Sequence, residues 1–244
     1  MDKKLFFVIG IEGSGHYMLR DVIKNSLTNE VNLDSTLIYD LKSSHPKLCN
    51  FLHYLKTPNH VENKESYYRY ADFYSYEDGL SEFKNILSKY DSFYIDYSFP
   101  FNMDTTRFFD YPSLSSIHKF ISNLENIKLE VIFLNRNLAE ACKSTVRRGH
   151  ARDNQIVGAY TVHFSYLEVL NNKYFAKKRG LNYLNLDFEK MVKRDADEFQ
   201  KLEELLSISI TNSDLDKIRE PNIYDDSFEV VDKFFSENMY PNIE

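Results

Sequence analysis

Residues 5–11, LFFVIGI, form an unbroken apolar run of strand length. Beyond them the apolar positions change period, with Met18, Leu19, Val22, Ile23 and Leu27 at helical spacing and Arg20, Asp21 and Lys24 on the other side. The pattern predicts a strand buried on both faces, a tight glycine turn and a helix opening at Gly15. Further along, 36–40 reads as a second strand, 41–76 as irregular structure with short helices, and 77–90 as a helix. Residues 92–97 read as a strand that stops at Pro100, and 112–125 as a helix with Pro112 near its first turn. LEVIFLN, 129–135, is the clearest later strand and is followed by a helix over 138–147. A long helix over 154–178 is expected to carry Ile156, Ala159, Tyr160, His163, Tyr166, Leu167 and Leu170 on one stripe. The strand LNYLNL, 181–186, and a charged helix over 188–206 complete the series. Strands alternating with helices predict an α/β fold with a central parallel sheet flanked by helices. Neither a repeat nor a linker interrupts it, so one domain over 1–244 is expected.

Composition narrows the function classes. A net charge of −7 opposes long-range attraction to nucleic acid or an anionic membrane, although a local basic site still holds phosphate. No apolar stretch reaches spanning length, and the N-terminus lacks a signal peptide's long apolar region, so a cytoplasmic protein is expected. Cys49 and Cys142 are too few for a disulfide scaffold, and no paired His/Cys spacing suggests a metal, so both read as reduced thiols.

With only 7 glycines in the chain, the cluster Gly10-Ile-Glu-Gly-Ser-Gly-His-Tyr17 stands out. It has the glycine spacing of a phosphate-binding loop, and its place between strand and helix lets backbone N–H groups converge on an anion. His16 stands where such loops carry lysine, and Tyr17 where they carry the Ser or Thr that ligates magnesium. A metal-dependent triphosphatase is therefore hard to defend, whereas a single phosphosulfate suits amides and side-chain donors without metal.

Arg136 ends the strand 129–135, and Ser144 falls eight residues later, two turns into the next helix. Both can face one anion, the guanidinium offering a planar fork, with Arg147 or Arg148 one turn further on. Together the two motifs resemble the sulfotransferase family, in which an S-G loop after the first strand holds the 5′-phosphosulfate and an R-x(7)-S motif holds the 3′-phosphate. Leu186-Asp-Phe-Glu-Lys-Met191 is similar to that family's Y-E-D-L segment. The resemblance implies a P-loop NTPase-like sulfotransferase architecture and 3′-phosphoadenosine 5′-phosphosulfate (PAPS) as donor. It assigns Gly13, Ser14, Gly15, His16, Tyr17, Arg136, Ser144 and Arg148 to the donor, with no metal. Gly13 departs from the pattern, since many members carry a basic residue just before the S-G pair, and no later basic glycine segment is evident after 206.

Sulfuryl transfer to a hydroxyl or amine needs a base that reaches the acceptor. Cytosolic relatives place a histidine before Leu-Pro at a strand end, and here Ser98 falls there, with Asp96 two residues earlier on the same face. Asp96 is the candidate base, with Glu12 and His16 as alternatives. A small-molecule or carbohydrate acceptor is implied, without nucleic acid or membrane. The tyrosines from Tyr67 to Tyr76 suit such a ligand, although helix packing is the stronger reading. A P-loop kinase and a non-catalytic nucleotide-binding protein remain the other readings.

Overall fold

The computed structural model describes residues 3–29, 38–40, 76–89, 92–99, 113–149, 154–216, 218 and 228–238. Five parallel strands, β1 (Lys3–Ile11), β2 (Ile38–Asp40), β3 (Ser92–Phe99), β4 (Ile127–Asn135) and β5 (Asn182–Asp187), pair in the order β2-β3-β1-β4-β5. From β1 the chain runs out to β2, returns through β3 beside β1, and crosses to β4 and β5. The carboxyl end of β1 thus lies where the strand order reverses, the place where ligands bind in open parallel sheets.

Burial on both faces explains the unbroken apolar runs. Leu5, Phe7 and Ile9 pack on one side with Phe83 of α2 (Tyr76–Leu87), Ile117 of α3 (Leu114–Ile121), Ala141 of α4 (Leu138–Arg147), Ala159 of α5 (Gln155–Arg179) and Val231 of α9 (Glu229–Glu237). Phe6 and Val8 pack on the other with Leu19 of α1 (His16–Asn29), Met191 of α6 (Phe188–Val192), Phe199 of α7 (Ala196–Leu206) and Leu215 of α8 (Asn212–Leu215). Residues 5–9 have no exposed surface, so truncating either phenylalanine costs about 3–5 kcal/mol. The predicted α/β fold with helices on both faces is the observed one.

Several boundaries and one helix face differ from expectation. Strand β3 continues to Phe99, the helix after Pro112 starts at Leu114 behind the N-cap of Ser113, and α9 was not anticipated. The predicted helix over 188–206 is two, because Arg194 adopts φ +58° and Asp195 caps a new start, accepting from the amides of Asp197 and Glu198. In α5 the expected apolar stripe holds only in part: Ala159 and Leu170 are buried and Tyr166 packs against the core. Ile156, Tyr160 and Leu167 are exposed, while Gly158, Thr161, Ser165, Asn172 and Lys173 turn inward. This helix packs against α4, α9 and the sheet, and small or bonded polar residues let it approach closely: Thr161 and Ser165 donate to carbonyls one turn back. Among the described residues no helix is long and apolar enough to cross a membrane. Of the irregular stretch expected over 41–76, residues 41–75, with the tyrosines through Tyr74 and Cys49, lie outside the described residues, as does Pro100, and Tyr76 opens α2.

Candidate functional site

The glycine loop leaves β1 at Ile11 and enters α1 at His16. Two glycines make the turn, Gly13 at φ +85° and Gly15 at φ +95°, conformations that side chains resist. Both positions are also closed by neighbours. A Cβ on Gly13 would sit 2.9 Å from the Ala141 carbonyl oxygen and 3.4 Å from Ser144 Cβ, and one on Gly15 would sit 2.5 Å from the Phe188 ring. The basic residue that sulfotransferases often carry at the Gly13 position is therefore excluded by backbone and by α4.

Ser14 closes the loop from within. Its hydroxyl donates to the Ile11 carbonyl at 2.6 Å, and its backbone N–H donates to the same oxygen at 3.1 Å. With its donors spent there, Ser14 shapes the loop, and the amides aimed outward at the start of α1 are those of Gly15, His16 and Tyr17. The His16 ring is buried over Gly10, its Nε2 2.9 Å from where a Cβ would stand. Tyr17 is 62% exposed with the Arg20 guanidinium 4.7 Å from its ring centre.

Arg136 and Ser144 both approach this loop. The guanidinium donates through Nη1 to the Gly13 carbonyl, stacks 4.3 Å from the Phe188 ring centre, and places Nε 3.9 Å from Glu189 Oε1. Ser144 is buried on α4 beside Gly13, and the neighbouring Thr145 hydroxyl bonds the carbonyls of Ala141 and Glu12. Arg148, at the end of that helix, reaches Glu12 Oε1 at 3.1 Å, so the loop's carboxylate carries its own counter-charge. The loop is thus clamped to α4 and to the start of α6, contacts that sequence reasoning did not include. Phe188, two residues after the predicted strand 181–186, was the available signal.

Asp96 is placed differently from expectation. Because β3 runs to Phe99, Asp96 lies three residues inside the strand, level with Val8 and 1% exposed, on the face shared by Gly10. Register puts Ser98, not Asp96, beside Gly10 at the carboxyl edge.

Next to Arg136 a cleft of about 880 Å³ opens over the ends of β4 and β5. Asn135, Arg136, Asn185 and Asp187 line its strand side, Lys173 comes from α5, and Asp232 and Phe235 from α9. Lys173 is 7% exposed, its ammonium 2.6 Å from Asn135 Oδ1 and 5.6 Å from the Phe133 ring centre. Burial pushes its pKa down to about 8. Sequence reasoning missed it, since Lys173 stands among the polar positions of a helix with no other mark.

No known protein-family profile matches the chain, and no curated protein matches it. Among solved structures, retinol dehydratase in complex with androsterone and inactive cofactor PAP superposes with a TM-score of 0.51 at 12% identity, over 98% of this chain and 83% of that one. The sulfotransferase domain from the Synechococcus PCC 7002 olefin synthase aligns with a TM-score of 0.46 at 14% identity, over 100% and 91% of the two chains. For the sulfotransferase domain from the curacin biosynthetic pathway the TM-score is 0.45 at 12% identity, over 96% and 98%. At such identity the likeness to retinol dehydratase is one of fold: this chain has the P-loop-like α/β architecture that its resemblance to sulfotransferases implied.

Proposed function

We propose that this protein is a sulfotransferase that takes a sulfuryl group from PAPS and passes it to a hydroxyl or amine of a small-molecule or carbohydrate acceptor. The observation that carries the reading is the meeting of Arg136 and Ser144 with the glycine loop at Gly13. Two anion-directed features far apart in sequence lie together at the switch point of the sheet. The residues fit such a donor. The amides of Gly15, His16 and Tyr17 would hold its 5′-phosphosulfate, and Arg136, Ser144 and Arg148 its 3′-phosphate.

When bound, the donor supplies an electrophilic sulfur whose bond to the 5′-phosphate oxygen breaks as the bond to the acceptor forms. The chain's own task is to hold that sulfur still and to balance the charge spreading over its oxygens, for which helix-start amides and His16 are suited. Arg148 keeps Glu12 from repelling the anion. The acceptor proton goes to Asp96, Glu12 or His16, and comparison of the three variants assigns it. Glu12 and His16 stand at the loop and Asp96 one level below it, so loss of turnover by about 10²–10⁴ in Asp96→Asn, with donor affinity kept, requires an acceptor that penetrates to that level. If Glu12→Gln or His16→Gln shows that loss instead, the base belongs to the loop.

Thermal-shift titration tests the whole reading. Saturation by 3′,5′-adenosine diphosphate at a hundred times its Kd should stabilise the fold by about 2.7 kcal/mol without magnesium, and ATP with magnesium should not. The opposite pattern favours the kinase reading, and no response to either favours the non-catalytic one.

A further inference from the structure

Two lysines of this structure are buried almost equally, and their surroundings differ in charge. Lys143, 8% exposed, holds Asp232 at 2.8 Å and Glu140 at 3.0 Å. Burial alone would lower its pKa, but those hydrogen bonds outweigh the burial and keep it above the usual lysine value. Lys173 has an amide oxygen and a ring.

Each carboxylate lining the cleft keeps its charge but has a hydrogen-bond partner other than Lys173. Asp187 accepts from the amide of Lys190, Glu189 accepts from the amide of Asn137 beside Arg136, and Asp232 belongs to Lys143. On α4, Glu140 pairs with Lys143, and on α5 itself Tyr166 is pushed upward in pKa by burial and stays neutral. On α3, His118 sits edge-on to Phe175. Among the described residues, then, nothing negative is bonded to the ammonium of Lys173, a residue that lines the cleft. A buried cation in that position is costly unless something completes it.

We propose that Lys173 is an anion contact of this cleft, against which an incoming ligand seats a phosphate or sulfate oxygen. The proposal rests on the donor-site reading only for the origin of that anion, which is either the donor nucleotide or an acidic group on another ligand. The chemistry is the same in both cases. Asn135 fixes the ammonium from one side, Phe133 underlies it, and the anion supplies the missing partner. Because the amine is half protonated near pH 8, an anion that pairs with it draws a proton on binding.

The experiment follows the Lys173 side chain by NMR in protein labelled at lysine Cε, with Lys173→Arg supplying the assignment. Without ligand the resonance should titrate near pH 8, and with saturating anion its midpoint should rise above 9. Affinity of the same anion, measured by calorimetry, should weaken about tenfold between pH 7 and pH 9 in the parent, and stay flat over that range in Lys173→Arg. The probes are 3′,5′-adenosine diphosphate and inorganic sulfate. A response to the nucleotide assigns the anion to the donor. Response to sulfate while the nucleotide binds without moving the midpoint, or does not bind at all, assigns it to another acidic ligand. In the last case the donor-site reading fails and this one stands. If neither probe moves the midpoint of parent Lys173, the proposal is overturned whatever the nucleotide does elsewhere.

Discussion

Replacing Gly13 by alanine tests how the glycine loop is held. Two costs are separable from the geometry. A side chain at φ +85° is worth about 1–2 kcal/mol of backbone strain. The new methyl would also stand 2.9 Å from the Ala141 carbonyl oxygen, a backbone atom in the middle of a helix that cannot turn aside, and overpacking of that kind costs about 1–3 kcal/mol more. Gly149 supplies the control, for it too has positive φ, +73°, but a Cβ there meets nothing within 4 Å. Gly149→Ala should therefore show the strain alone, and Gly13→Ala about 2–5 kcal/mol in all. Urea unfolding of the two variants and the parent measures both. With a slope of about 3 kcal/mol/M, a 3 kcal/mol loss moves the midpoint by about 1 M. If the two variants fall within about 0.5 kcal/mol of each other, the loop does not rest against α4 and the convergence of Ser144 on Gly13 is wrong.

Arg136→Ala should weaken 3′,5′-adenosine diphosphate by about 1.5–3 kcal/mol and Ser144→Ala by less, while 5′-adenosine monophosphate barely responds; equal loss for both nucleotides in calorimetry sinks the 3′-phosphate assignment. Lys173 binds fewer protons folded than unfolded between about pH 8 and its ordinary 10.5, so its contribution to stability rises with pH. Relative to Lys173→Met, the parent should gain about 2 kcal/mol between pH 8 and pH 10 in chemical denaturation, and a constant difference refutes the lowered value. Burial pushes the Cys142 thiol up to about 12 against the opposing pull of Lys143, so iodoacetamide at pH 8 should label Cys142 only in denaturant, as peptide mapping will show.

The parts of the site that could be read from sequence are those whose chemistry is carried by local pattern. An apolar run ending in glycines fixes strand, turn and helix because backbone conformation is decided within a few residues, and Gly13 and Gly15 do adopt the positive φ that such a turn needs. Arg136 and Ser144 met the loop because eight residues from a strand end bring a helix back over it. What stayed hidden depends on packing between distant segments. Hydrophobicity put Ile156, Tyr160 and Leu167 on the inner face of α5, yet closeness to the sheet selected Gly158, Thr161 and Ser165, and with them Lys173. The break before α7 left a mark that was passed over: Asp195 with Glu198 three residues on is the spacing of a helix start. Asp96 stands near a strand end only if the strand stops at 97, and β3 runs on to Phe99.

The bond from Arg136 to the Gly13 carbonyl makes the loop a competitor with any anion for the Arg136 guanidinium. An anion that recruits Arg136 must either share it with that carbonyl or take it away. Since the same side chain lies on Phe188, whose ring fills the space beside Gly15, any displacement is felt at both glycines of the turn. An anion held by Arg136 would then be sensed at the Gly15 turn through a chain of three contacts, so that the two proposed anion sites would bind as a coupled pair rather than as independent halves.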